Sequence, residues 1–245
     1  MNNISDIDER RRQFLLFLLA SGTYATLSGC ASKGAITASA KPEEMPAGKS
    51  IYKLLGDVRV NTLAATLQTP IVPGDVGETF EKSYIIFVVG KDAYILRSNS
   101  KMILPTPGNR AAGKLINTVF ELKRGKALAV LDPRDTRITT PSAVIRIRGT
   151  GIYIEVEPEL SYVCTCYGIA DLATKDDPDA RETIVSEHHD DPRYILADPG
   201  RSNRIVSAPF KNHDDQELLL IETLVGRTTP YVVPQGLNRR RRIFY

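Results

Sequence analysis

The sequence contains little cysteine: 3 residues in 245, at Cys30, Cys164 and Cys166. So few cysteines exclude the disulfide framework that holds many small secreted domains together. Long hydrophobic runs are also missing, because the apolar stretches at residues 14–20 and 85–89 fall well short of the roughly 20 residues that a membrane-spanning helix needs. We therefore expect a chain that folds around a hydrophobic core, rather than one held together by disulfides or built from membrane-spanning helices.

A strong excess of charge of either sign is absent as well. The 32 Lys and Arg residues against 29 Asp and Glu residues give a net charge of +3, and 42% of the residues are hydrophobic. This balance is typical of a globular body and excludes a nucleic-acid partner bound through a dominant basic face. The exception is the block Arg239–Arg242, which could attract anionic lipid or form a solvated tail.

The first thirty residues have the pattern of an export signal. Three arginines at 10–12 precede the short apolar run, small residues follow, and the segment closes on Leu27, Ser28, Gly29 and Cys30. This ending resembles the lipobox of bacterial lipoproteins. The resemblance implies that residues 1–29 are removed and that Cys30 carries the lipid that anchors the protein to a membrane. The alternative is an N-terminal anchor that is not cleaved.

The residues around the arginine cluster also resemble a twin-arginine signal, which exports folded proteins, often with a metal already bound. The residues that carry the likeness are Arg11, Arg12, Phe14 and Leu15. Export by the general secretory route is the alternative. Ala31 follows the cysteine where an aspartate would favour the inner membrane in lipoprotein sorting. We therefore expect the periplasmic side of the cell envelope, with the outer membrane favoured.

The remaining pattern divides the chain into three parts. Residues 30–50 are small and polar and predict a lipidated tether. Short β-branched runs bounded by Gly, Asp and Asn then predict an all-β domain over residues 51–172. Residues 173–245 predict an extension with one helix at about 213–226, with acids in its first turn and Gly226 as its stop, followed by the Arg-rich tail.

The β segment resembles the FecR domain, the periplasmic module of iron-citrate sensor regulators. The likeness is most specific at residues 139–156, TTPSAVIRIRGTGIYIEV, and is carried by Thr140, Pro141, Arg148, Gly149 and Thr150. It implies a FecR-type multi-stranded β domain. Sensors of that family also have a cytoplasmic anti-sigma segment. Only nine residues precede the arginine cluster here, so we expect no such module.

One set of residues suggests chemistry. Cys164 and Cys166 are two apart on a predicted strand, so their side chains share a face. Two thiols with one or two imidazoles match a tetrahedral zinc site, and the same soft set suits copper(I). The expected ligands are Cys164, Cys166, His188 and His189. His213 is a less favoured ligand because it lies beside the predicted start of the helix.

Three other interpretations of the cysteines remain open. The thiols could be small buried hydrophobic groups, a redox pair, or part of a Cys–His dyad. Parallel side chains on an extended strand oppose a disulfide between them. The β segment shows no acid–base or nucleophile constellation. We therefore predict that the protein is not an enzyme but a binding or scaffold module for an envelope protein or polysaccharide. A periplasmic zinc- or copper-binding protein is the alternative.

Overall fold

A computed structural model describes residues 42–106 and 117–233. The predicted signal, the lipidated Cys30, the twin-arginine residues and the Arg-rich tail lie outside these ranges and remain predictions. Among the described residues, no helix has the length and apolar character needed to cross a lipid bilayer.

The described residues form mainly β-structure, with one short helix near the C-terminal end, as the sequence predicts. The strands are β1 (Ile51–Leu55), β2 (Val58–Val60), β3 (Leu63–Ala64), β4 (Val76–Thr79), β5 (Tyr84–Val89), β6 (Asp92–Leu96), β7 (Lys101–Ile103), β8 (Asn117–Val130), β9 (Asp135–Thr139), β10 (Ala143–Glu157), β11 (Leu160–Thr174), β12 (Arg181–Ser186), β13 (Arg193–Leu196) and β14 (Ile205–Ser207). The helix α1 spans Asp215–Leu224, which is slightly shorter than the predicted 213–226.

All of these strands belong to one continuous sheet. Its main order is β14-β13-β11-β10-β9-β8-β7-β4-β2-β3, while β12 joins at β11 and the β1–β5–β6 group joins through β6 at β8. Pairing is antiparallel except between β8 and β9. Such long antiparallel ladders satisfy the backbone polar groups of the chain while alternate side chains enter the core.

The predicted boundary at residue 172 is not a boundary in the structure. It falls inside β11, and the strands that follow it extend the same sheet. The polar cluster at 175–179 forms the turn between β11 and β12. Turn-forming residues mark a change of direction equally well within a sheet and between domains.

The residues that carry the FecR likeness occupy two breaks in the ladder. Thr140 and Pro141 lie in the turn from β9 to β10, where the Thr140 and Ser161 hydroxyls are 2.8 Å apart. Gly149 has a φ of 56° and lies where β10 changes partner, from β9 to β8. This positive φ suits glycine because a side chain is strained there.

The long strands bury both of their faces where β10 and β11 pair. Ile154 and its cross-strand partner Val163 belong to the main apolar core. Tyr153 and its partner Cys164 alternate with them and point to the opposite face. Both residues of that second pair are fully buried, so this face must be covered by the chain that follows the sheet.

The helix α1 supplies much of that cover. Asp214 is its N-cap and forms a capping box with Glu217, which fixes where the helix starts. Leu218 and Ile221 are fully buried, and Gly151 on β10 leaves room for the close approach. A Cβ at Gly151 would lie 3.1 Å from Leu218 Cδ2 and 2.5 Å from Tyr167 Cε1.

Candidate metal centre

The candidate site lies at a gap in the sheet beside β11. This strand pairs with β13 at residues 160–163 and with β12 at residues 168–173. Residues 164–167 lie between these two ladders, and the turn from β12 to β13 fills the gap through a 2.8 Å hydrogen bond from His189 N to Cys166 O. The two cysteines therefore lie where a loop, rather than a neighbouring strand, comes up against β11.

The turn that brings His189 to the cysteines is held by its own hydrogen bonds. Asp190 Oδ2 accepts from the backbone N–H groups of Glu187 and His188, at 3.0 and 3.1 Å. The backbone N–H of Asp190 donates in turn to Ser186 Oγ. His189 has a φ of 57°, so the chain reverses there in the left-handed region. The turn presents His189 to the cysteines and leaves the neighbouring His188 side chain 45% exposed.

The segment that precedes α1, residues 208–214, places His213 opposite the cysteines. Its ring stacks on Tyr153, with the centroids 4.4 Å apart and the planes at 22°. Its Nδ1 lies 2.8 Å from the carbonyl oxygen of Lys211. Beside it Asn212 has a φ of 62° and donates from Nδ2 to the carboxylate of buried Glu155. These contacts fix the His213 ring before the helix begins.

Four ligand atoms converge in this region, from Cys164, Cys166, His189 and His213, and all lie within 4.8 Å of one another. Cys166 Sγ is 3.3 Å from His213 Nε2, and Cys164 Sγ is 3.8 Å from His189 Nδ1. The two imidazole nitrogens are 3.0 Å apart. A tetrahedral zinc ion with ordinary bond lengths gives edges of about 3.5 Å between S and N and about 3.3 Å between N and N. These three distances are therefore close to the edges of a tetrahedral centre.

The second nitrogen of each ring is already engaged by an oxygen acceptor. His213 Nδ1 faces the carbonyl of Lys211, and His189 Nε2 lies 2.9 Å from Asp215 Oδ1. Both of these nitrogens must carry a proton, since the oxygens can only accept. In the neutral rings, the nitrogens that face each other then present two lone pairs. That arrangement needs a proton or a metal cation between the lone pairs, and the oxygen contacts are of the kind that orient metal-bound histidines.

The surrounding charges change the acidities of these groups. The hydrogen bond with Cys166 lowers the pKa of the Cys164 thiol to about 4, and His189 acts in the same direction. Burial and the neighbouring Cys164 raise the pKa of the Cys166 thiol. Burial opposes the charge on His189, but Asp215 and Cys164 outweigh it and raise the pKa of that imidazole to about 9. The hydrogen bond from His189 lowers the pKa of Asp215 to about 2.

Of the four ligands expected from the sequence, the structure brings three together: Cys164, Cys166 and His189. His188 lies outside the cluster, with Nε2 2.8 Å from Asp215 Oδ1 and its side chain 45% exposed. His213, the less favoured ligand, completes the set. Asp215 was not singled out as a site residue, because an acid in the first turn of a helix is ordinarily explained by the helix dipole.

A thiol, an imidazole and a carboxylate also lie in contact in that order, in Cys164, His189 and Asp215. This is the order found in cysteine nucleophiles, with the carboxylate orienting the base. Cys164 is fully buried, however, and a nucleophile must be reached by its substrate. Both cysteines are free thiols in the structure. Their burial agrees equally with metal ligands and with structural thiols.

Comparisons with known proteins give the chain little context. The sequence matches no family model. No curated protein is significantly similar to it. Two crystal structures of a candidate anti-sigma factor from Parabacteroides distasonis align with 58% of this chain, at sequence identities of 14% and 15% and a TM-score of 0.43 in each case. The aligned region spans 62% of the length of those proteins, which is less than two thirds.

Proposed function

We propose that this chain is a zinc-binding β protein of the cell envelope, with a centre formed by Cys164, Cys166, His189 and His213. The observation that carries the proposal is the convergence of two sulfur and two nitrogen atoms, all within 4.8 Å of one another, in a buried site. A tetrahedral set of two sulfurs and two nitrogens favours zinc among the common metals. Copper(I) accepts the same atoms but is often satisfied by fewer of them.

The site is built for a structural metal. Four protein ligands close a tetrahedral zinc and leave no open position for substrate, as in structural rather than catalytic zinc sites. The ligands come from β11, from the turn before β13 and from the segment that precedes α1. Zinc would therefore tie the helix and the turn to the sheet.

The location rests on the sequence. The lipobox at Cys30 and the signal before it support attachment to a membrane on the periplasmic side. A FecR-type β domain on a lipid tether remains the proposal for the sheet that contains residues 139–156, supported by the motif that they form. Folded-state export by the twin-arginine route would allow the metal to be loaded in the cytoplasm.

Elemental analysis of the full chain, with a count of reactive thiols, tests the proposal. One zinc ion per chain and two thiols that react only after chelation are expected. Cys164→Ser and His213→Ala should each lose the metal. His188→Ala is the matched control, because it removes a histidine outside the four-ligand set and should keep the zinc. If one copper ion is found instead, the proposed site stands and only the identity of the metal changes. Metal-free protein in which both thiols are still buried would reject the proposed site.

A binding or scaffold role is the second candidate, favoured by exposed apolar residues on the terminal strand β3 and in the connection that follows it. Leu63, Leu67 and Val72 are 74%, 50% and 53% exposed, and Leu63 lies on the terminal strand β3. Open edges and exposed apolar groups are common partner sites. A photo-crosslinker at Leu63 should label one envelope protein or polysaccharide, while the same group at exposed Lys82 should not. Equal labelling at both positions would argue against a partner there.

A further inference from the structure

The proposed centre is closed on nearly every side. Cys164, Cys166 and His213 have no exposed surface, and the His189 side chain is only 8% exposed. Phe210 packs against both rings, with centroids 4.7 Å from His189 and 4.7 Å from His213. A metal ion that reaches a buried site needs a path through the protein surface.

The more exposed ligand groups lie beside His189. The carboxylate of Asp215, 29% exposed, holds the outward nitrogen of His189 at 2.9 Å. The same oxygen holds Nε2 of His188 at 2.8 Å. Ligand atoms of His188, His189 and Asp215 all lie within 4.8 Å of one another, which is a second grouping suited to a metal ion. Imidazole and carboxylate are both ordinary zinc ligands.

The aromatic surroundings keep His188 in place. Its ring lies 4.3 Å from the ring of Tyr231 and 4.9 Å from that of His189. Nε2 of His188 is therefore held toward Asp215, although the side chain is 45% exposed. The three groups form a series from solvent to the buried centre: His188, Asp215 and His189. Only His189 belongs to both groupings.

We infer that His188 and Asp215 form an entry site that captures aqueous Zn²⁺ at the surface and passes it to the buried centre through His189. The inference rests on the proposed zinc function. In the transfer, water and then the outer ligands leave the ion as the inner ligands bind. The Cys166 thiol and the His189 ring each release one proton to solvent as the inner ligands bind, so two positive charges leave as Zn²⁺ enters. The entry site speeds loading and does not supply a permanent ligand to the final centre.

Loading of metal-free full-length protein with Zn²⁺ alone, followed by stopped-flow competition with a fluorescent zinc indicator, tests this inference. In His188→Ala the loading rate should fall below the wild-type rate, because the incoming ion loses one of its two surface ligands. The zinc content at equilibrium should stay at one per chain. Glu187→Gln is the matched control, since it changes an adjacent exposed group and should load at the wild-type rate.

The outcomes separate the two proposals. An unchanged rate in His188→Ala overturns the entry site and leaves the buried centre intact. Loss of the bound zinc in that variant also overturns it, because His188 would then be a ligand of the final centre. Wild-type protein that takes up no zinc rejects the proposed function itself, and the entry site with it. Thermal unfolding of metal-free His188→Ala should match the wild type, which separates slow loading from a damaged fold.

Discussion

His213 Nε2 lies 3.0 Å from His189 Nδ1, although neither nitrogen has a proton to donate when its ring is neutral. Each ring is held at its other nitrogen: the Lys211 carbonyl accepts from His213 Nδ1, and the Asp215 carboxylate accepts from His189 Nε2. Without metal, a proton on one ring resolves the contact. Under the proposed function, a metal ion would displace that proton and take the sulfurs of Cys164 and Cys166 as further ligands.

Asp215→Asn should weaken zinc binding without removing the site. The carboxylate orients His189 and increases its basicity, and loss of such a partner typically costs about 10- to 100-fold in affinity. Competition titration with a zinc chelator measures the change, and the stoichiometry should remain at one. Asp198→Asn is the control, since that carboxylate is 64% exposed and outside the site. A wild-type affinity in Asp215→Asn would contradict the orienting role.

The buried ion pair between Arg97 and Glu217 should contribute strongly to the attachment of α1. Arg97 Nη2 lies 2.8 Å from Glu217 Oε1, and the Glu217 side chain has no exposed surface. Arg97→Ala leaves that carboxylate buried without its cation, so the free energy of unfolding should fall by about 3 kcal/mol. Urea denaturation measures the change.

Two further variants serve as controls for the Arg97→Ala result. Lys82→Ala removes an exposed pair with Glu81 and should cost about 0–1 kcal/mol. Arg97→Met combined with Glu217→Gln should be less damaging than Arg97→Met alone, because neither charge is then left unpaired. Equal losses in Arg97→Ala and Lys82→Ala would show that burial adds nothing to the pair.

The structure also indicates how much of this protein its sequence predicts. The β-branched runs and the capped helix were predictable because period, turn residues and capping are local properties. The shared face of Cys164 and Cys166 was predictable for the same reason. The choice between His188 and His189 was not, since it depends on the positive φ of His189 in a turn. His213 joins the cluster only because the gap beside β11 admits it, which is a tertiary property.

Glu155 should make stability depend on pH in the acid range. Burial would raise its pKa, but hydrogen bonds from Tyr153 and Asn212 and the charges of Lys126 and Lys211 leave the pKa below its ordinary value of 4.5. A lowered folded pKa means that its stabilisation is present above pH 4.5 and is lost as the pH falls through the folded pKa.

Urea unfolding of Glu155→Gln at several pH values measures that contribution. The variant should be less stable by about 2 kcal/mol at neutral pH, the scale of hydrogen bonds to a charged group. The difference should shrink in acid. Both proteins should carry Cys164→Ser, so that acid release of metal does not enter the comparison. A difference that stays constant down to the acid limit would contradict the lowered pKa.

Gly125→Ala should be one of the most damaging small substitutions in the sheet. Gly125 has a φ of 82°, and an added Cβ would lie 2.5 Å from the backbone Cα of Ser100. Strain and clash together should cost about 3 kcal/mol. Gly90→Ala is the control, because its φ of 61° is strained but nothing lies within 4 Å. The melting temperature of Gly90→Ala should be well above that of Gly125→Ala. Similar losses of stability in the two variants would show that the clash at residue 125 is relieved.

The ligands of the candidate centre come from distant parts of the chain, since His213 follows Cys166 by 47 positions. A metal that joins them acts on the unfolded chain as a removable cross-link, because it closes a long loop. For a permanent link of that length, the loop-closure relation gives about 4 kcal/mol at 25 °C. Zinc availability would therefore set the stability of the C-terminal part of the sheet and of α1. Unlike a disulfide, this link depends on the supply of metal and not on an oxidising compartment.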